Sequence, residues 1–258
     1  MSSKKEMIAR LGMGAKGIVY LLIGVLTALA AFGQGGSKSG KDGILKFLAE
    51  QSYGKVLLAI LGLGLVCYML YRLYQAFANP KNLDDDAKGY FKRVAYGASG
   101  VVYGFFAYSA LKMAFGGSSG GSGSSSSSKL LNSDYGNIIA FVIAIILLGK
   151  AIYELYVAYS GKYKEDVEHA GIDSDAQSLL IKSGKMGFTA RGIVIGIMAY
   201  LFFKAGMSNS SGDINRTDAF NLLQNEFGTI VLGIVAVGVA LYGVFMLIKS
   251  KYPDTNVR

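Results

Sequence analysis

The sequence predicts an all-α membrane protein in which six transmembrane helices form three tandem two-helix repeats with a pseudo-threefold arrangement. Three observations predict it. Hydrophobic residues make up 52% of the 258 positions and charged residues only 17%, against about 25% charged in an average soluble chain. The apolar residues gather in blocks, among them Ile18–Phe32, Val56–Leu70, Ile138–Leu148, Gly192–Phe203 and Thr229–Ile248. A bilayer core of ~30 Å needs roughly 20 helical residues, and each block reaches that length with its aromatic and small flanks. The third observation is self-similarity, which fixes the architecture before any single helix is considered.

The first helix of each unit opens on a shared pattern. It reads Gly12-Met13-Gly14-Ala15-Lys16-Gly17-Ile18-Val19-Tyr20, then Ala95-Tyr96-Gly97-Ala98-Ser99-Gly100-Val101-Val102-Tyr103, then Gly187-Phe188-Thr189-Ala190-Arg191-Gly192-Ile193-Val194-Ile195. The second helix begins at an aromatic–glycine pair about 35 residues after Gly17, Gly100 or Gly192: Tyr53-Gly54, Tyr135-Gly136 or Phe227-Gly228. The repeats are expected to span residues 11–86, 92–166 and 181–254. Pro80 and Pro253 stand where the second and sixth helices should stop, since proline lacks the N–H that would continue a helix.

The connections differ. Asp42–Ser52 places Ile44, Phe47 and Leu48, and Thr217–Glu226 with its flank places Phe220, Leu223 and Phe227, at helical spacing, so both are expected to form short interfacial helices. The middle repeat has instead a Gly/Ser tract, 116–128, with nothing to bury. The N-terminal segment has the basic start and Ala28-Leu29-Ala30 of a cleavable leader, yet it recurs as the first helix of each later repeat and reads as a retained span.

The net charge of +9 is read as topology rather than as a nucleic-acid surface, because no basic stripe with interleaved aromatics lies outside the apolar blocks. Lys and Arg accumulate on the cytoplasmic side of membrane proteins. With the N-terminus, the second and fourth loops and the C-terminus on one side, that side holds sixteen of them, Lys16 and Arg191 included, and the other eight. Both termini are therefore expected in the cytoplasm.

The arrangement resembles the bacterial membrane family known as domain of unknown function 1206, which carries three copies of a two-helix unit with this opening and this aromatic–glycine start. The resemblance runs from about Gly12 to Tyr252, with Thr189 and Ile195 as departures in the third repeat. It implies the fold and the location, the inner membrane of a bacterium, and carries no activity.

No protease, hydrolase, P-loop or dinucleotide motif is present, and the single histidine, His169, stands among acidic loop residues. The lone Cys67 lies within an apolar helix and reads as a small filler. The expectation is a protein that is not an enzyme, with no catalytic, cofactor-binding or metal residues and no cofactor. Glycines at helix-packing spacing are Gly17 and Gly24, Gly100 and Gly104, and Gly192 and Gly196. In lipid, such residues let helix backbones approach; the alternative is room for a narrow pore or a lipid tail.

The sharper signal is charge within the membrane, which costs roughly 2.5–3.5 kcal/mol or more unpaired. Counting from the aromatic–glycine starts, Arg72, Glu154 and Met246 share one repeat position, Tyr68, Lys150 and Tyr242 a second, and Tyr71, Tyr153 and Phe245 a third. Packing about a pseudo-threefold axis would bring Arg72 to Glu154 as an ion pair. Lys150 would assist it, with Tyr68, Tyr71, Tyr153 and Tyr242 around it. The local sum of +1 would suit a small anion or an acidic lipid headgroup. The competing reading is snorkelling, with Arg72 reaching the headgroups and the tyrosines forming an interfacial belt.

Two function classes follow. The leading one is a structural or regulatory membrane component that binds membrane lipids or a protein partner in the membrane; the alternative is a small channel or transporter for an ion or small solute. Nucleic acid is not expected as a partner, and oligomeric state is left open.

Overall fold

The computed structural model describes residues 2–34, 36, 41–79, 86–117, 135–161, 163–164, 174–208 and 216–251. His169, Pro80, Pro253 and positions 118–128 of the Gly/Ser tract lie outside the described residues. Among those described there is no strand. The helices are α1 (Ser2–Ala31), α2 (Lys41–Ala49), α3 (Gly54–Phe77), α4 (Ala87–Ala114), α5 (Gly136–Ser160), α6 (Ser174–Ser208) and α7 (Arg216–Lys251). Six of them, all but α2, are long and apolar enough to cross a membrane, two for each of the three tandem repeats.

Local chemistry sets the helix ends. The Asp86 carboxylate accepts from the Gly89 N–H at 2.6 Å and caps α4. Gly161 ends α5 in the left-handed conformation, φ +74°. The last carbonyls of α3 are held from the neighbouring helix: Arg93 Nε donates to Ala76 O at 2.9 Å and Nη2 to Phe77 O at 3.3 Å.

Both connections expected to be helical are helical. In α2, Ile44, Leu45 and Leu48 are buried while Phe47 is only half-buried. The segment 216–227 opens α7 and buries Ala219, Phe220 and Leu223, leaving Phe227 exposed. At Gly228 the backbone turns to φ +83°, ψ 172° and breaks α7 into this short piece and the span that follows. Apolar side chains of both segments therefore lie against protein as well as facing outward.

The chain divides into two compact units, one made of Met1–Ile18, Leu45–Ser119 and Met246–Arg258, the other of Val19–Ile44 and Gly120–Phe245. These boundaries cut through α1 and α7 and do not follow the repeats. In the first unit α3 packs on α4, where a methyl added at Gly62 would lie 2.7 Å from the Leu111 side chain and one at Gly104 2.7 Å from Met69 Sδ. The start of α1 packs on α3 through Gly12, whose added methyl would lie 2.5 Å from Tyr68 Cα. In the second unit Ala140 and Ala144 of α5 pack on Phe202 of α6. There α6 meets α7 at Gly187 and Gly238, and α7 meets the second half of α1 at Gly24. Small residues at these crossings are what lipid-embedded helices need, since hydrocarbon supplies little drive between them.

Candidate functional site

Of the six glycines singled out for packing, Gly24, Gly100, Gly104 and Gly192 sit where a side chain would crowd a neighbouring helix. A methyl on Gly24 would lie 2.6 Å from Ala236 O and run into the Ala240 backbone; on Gly100 it would lie 3.1 Å from Leu73, and on Gly192 2.9 Å from Leu155. Gly17 is buried. Gly196 differs, because its added methyl would make only an ordinary 3.8 Å contact with Ala151.

The polar residues form two sockets, one in each unit. In the first unit α3 contributes Tyr68, Tyr71, Arg72 and Gln75, residues at i, i+3, i+4 and i+7 and so on one helix face. Arg72 Nε donates to the Tyr68 hydroxyl at 2.8 Å, and Nη1 donates to Gln75 Oε1 at 2.8 Å. Gln75 Nε2 in turn donates to the Tyr71 hydroxyl at 2.9 Å. The guanidinium lies over the rings of Tyr68 and Tyr96, at 5.2 and 5.1 Å. A second cation enters from α1: Lys16 Nζ donates to the same Tyr68 hydroxyl at 3.1 Å and lies 5.1 Å from the Tyr68 ring and 6.0 Å from that of Tyr103. Lys16 is 6% exposed and Tyr68 1%.

In the second unit Arg191 of α6 is 7% exposed and Glu154 of α5 6%, and Arg191 Nη2 lies 3.0 Å from Glu154 Oε1. The guanidinium stacks on Tyr242 at 4.0 Å and on Tyr20 at 4.9 Å. Tyr242 also belongs to an aromatic cluster with Phe188, Phe245 and Tyr163. Tyr163 precedes α6 outside the spans, and burial pushes its phenol pKa up.

The Glu154 carboxylate meets Arg191, and the hydrogen bonds of Arg72 go to the neutral Tyr68 and Gln75. Lys150 and Tyr153 are exposed, while Ala151, Glu154, Val157 and Ala158 of α5 are buried. Of the predicted residues, Tyr68, Tyr71 and Arg72 come together in the first unit, and Glu154 and Tyr242 lie in the second.

Lys16 and Arg191 were missed as site residues because their charge was assigned to the cytoplasmic flank. The signal was present: each immediately precedes the repeat's conserved-in-register glycine, Gly17 or Gly192, with Ser99 at the same place in the middle repeat. Among the described residues no group of three or more His, Cys, Asp or Glu gathers as metal ligands.

A family model described as Domain of Unknown Function (DUF1206) matches residues 11–79, 94–161 and 186–252, one match on each two-helix repeat. The chain is also similar to the Uncharacterized protein YxxB of Bacillus subtilis (strain 168), 26% identical over 246 residues that cover 94% of this chain and 89% of that one. No solved structure matches.

Proposed function

This chain belongs to the DUF1206 family, and from the geometry of its first unit we propose that it is a non-enzymatic membrane component that binds an acidic lipid through Lys16 and Arg72. The observation that carries the proposal is the state of Arg72. It is a cation within a spanning helix, its Nε and Nη1 are taken by the neutral Tyr68 and Gln75, and no carboxylate lies within ion-pair distance of it among the described residues. Its Nη2 makes no hydrogen bond among those residues. Lys16 adds a second charge at the same hydroxyl.

Two cations that donate to one hydroxyl oxygen repel each other. A phosphodiester relieves that repulsion and offers acceptor oxygens to the guanidinium. Arg72 stands 18 residues past Gly54, ~27 Å along α3 and about a turn and a half from its end. That depth favours a headgroup over a free solute. The reading carries with it a bacterial cytoplasmic membrane with both termini inside, supported by the charge asymmetry of the loops and by a bacterial relative.

The test is binding of phosphatidylglycerol, phosphatidylcholine and inorganic phosphate to the purified full chain in detergent. Phosphatidylglycerol is expected to bind about tenfold more tightly than phosphatidylcholine, a difference of about 1.4 kcal/mol, with Arg72→Gln removing the preference. Equal affinity for the two lipids, or a preference that survives Arg72→Gln in folded protein, would overturn the proposal. Tight binding of phosphate alone would replace the lipid with a solute. A selective current in liposomes, lost on the same substitution, would replace binding with conduction.

A further inference from the structure

The second socket repeats the construction of the first. Lys16 and Arg191 occupy the same repeat position, each just before a glycine of the opening pattern. Each cation lies over the tyrosine fourteen residues past a second-helix glycine, Tyr68 at 5.1 Å and Tyr242 at 4.0 Å. Each also lies over a tyrosine three residues past another repeat's opening glycine, Tyr103 at 6.0 Å and Tyr20 at 4.9 Å. The backbone crossings correspond as well. Added methyls on Gly12 and Gly187 would lie 2.5 and 2.7 Å from Cα of Tyr68 and Tyr242, and those on Gly64 and Gly238 would lie 2.6 and 2.5 Å from Cβ of Ala15 and Ala190.

What differs is the residue eighteen past the second-helix glycine. It is Glu154 in the middle repeat, and its carboxylate reaches Arg191; the corresponding residue of the third repeat is Met246. The carboxylate fits its socket by one oxygen only. Oε1 meets the guanidinium, while Oε2 is buried without a hydrogen-bond donor among the described residues. A buried acceptor left unsatisfied is uncommon in a purely structural contact. Beside Arg191 a cavity of 10 Å³, lined by Tyr20, Ile23, Val194, Ile195, Phe220 and Val239, has about the room of one water.

We infer that Arg191 is a second oxyanion site and that Glu154 is the chain's own occupant of it, keeping the site closed to external carboxylate or phosphate oxygens. This rests on the reading of the first socket as an anion site for the comparison that identifies it, and on the Arg191–Glu154 contact for its content. Glu154 thereby sets how many acidic groups the protein takes up: one with the carboxylate in place, two without it.

The experiment uses the full chain in detergent, with Glu154→Ala and the near-isosteric Glu154→Gln, which serves if the alanine variant does not fold. Thermal midpoints are measured against sodium acetate, inorganic phosphate and phosphatidylglycerol, each compared with chloride or phosphatidylcholine. In the variants at least one of the three anions is expected to raise the midpoint saturably by several degrees, beyond any response of the wild type, and the effect should vanish when Arg191→Met is added. Acetate or phosphate as the effective probe identifies a free anion, and phosphatidylglycerol a headgroup. Variants that respond to all three as the wild type does would overturn the inference. Failure of the wild type to prefer phosphatidylglycerol would overturn the proposed function instead, and leaves the response of the variants to be read separately.

Discussion

Arg191 and Glu154 meet at 3.0 Å with each side chain only 8% exposed, a buried ion pair between two spanning helices. Withdrawing both charges from solvent costs several kcal/mol, so the pair stabilises little compared with an apolar packing of equal volume. Removing one partner is different, because it strands the other. Arg191→Met or Glu154→Gln alone is expected to cost about 3–5 kcal/mol, whereas Arg191→Met with Glu154→Leu should be close to neutral. Unfolding midpoints of the four proteins check this; a double variant as unstable as the singles would show that the two residues do not act as a unit.

Tyr68 accepts from two cations at once. Tyr68→Phe leaves both rings' stacking in place and removes the shared acceptor. Hydrogen bonds to charged groups contribute about 1.5–3 kcal/mol, so a loss of about 2–3 kcal/mol is expected, read from thermal or denaturant unfolding. Adding Lys16→Met should restore part of it by removing one of the two like charges. No recovery would mean that the hydroxyl serves Arg72 alone.

The glycines at packing spacing should separate by substitution. Gly24→Ala forces α1 from α7, since the methyl would overlap the Ala240 backbone and lie 2.6 Å from Ala236 O; overpacking of this kind costs about 1–3 kcal/mol. Gly196→Ala meets only Ala151 at 3.8 Å and should be neutral or up to about 1 kcal/mol more stable, because alanine is the better helix former. Parallel midpoints decide it, and equal losses at both sites would contradict the close approach at Gly24.

Gly228 isolates conformation from sterics. An added methyl there meets nothing within 4 Å, yet the backbone is at φ +83°, ψ 172°, a region held essentially by glycine. Gly228→Ala is expected to cost about 1–3 kcal/mol without a packing defect. Helicity of the 216–227 segment, followed by hydrogen exchange, should fall with it. Unchanged stability would mean that the break can relax into a continuous helix.

Much of the fold was legible because bilayer length and repetition are strong, independent constraints. The two short helices before Gly54 and Gly228 followed from the spacing of Ile44, Leu48, Phe220 and Leu223. The candidate site was legible only in part. Repeat position identified Arg72, Tyr68, Glu154 and Tyr242 as special, but not which cation each would meet. Arg72 and Glu154 are oppositely charged at one repeat position, and that made them the obvious couple. Each has a neighbour on the first helix of the following repeat, where Tyr96 faces Arg72 and Arg191 faces Glu154. Lys16 and Arg191 were obscured because a basic residue near a helix entrance looks the same in sequence whether it snorkels or turns inward.

The sockets also impose an order on synthesis. Glu154 is made before Arg191, so the acid already stands in the membrane when its guanidinium arrives. Lys16 is made before Tyr68 and Tyr103, and until they emerge it has neither the hydroxyl nor the second ring. A nascent chain ending after α1 is therefore expected to hold that ammonium at the membrane surface, at a cost of roughly 2.5–3.5 kcal/mol if it entered. Position-specific labelling of Met13→Cys, which is buried one turn before an intact Lys16, on a Cys67→Ala background in chains truncated after α1 and after α4, would show protection only in the longer. The first hairpin then becomes settled in the bilayer only once the second has begun to follow it.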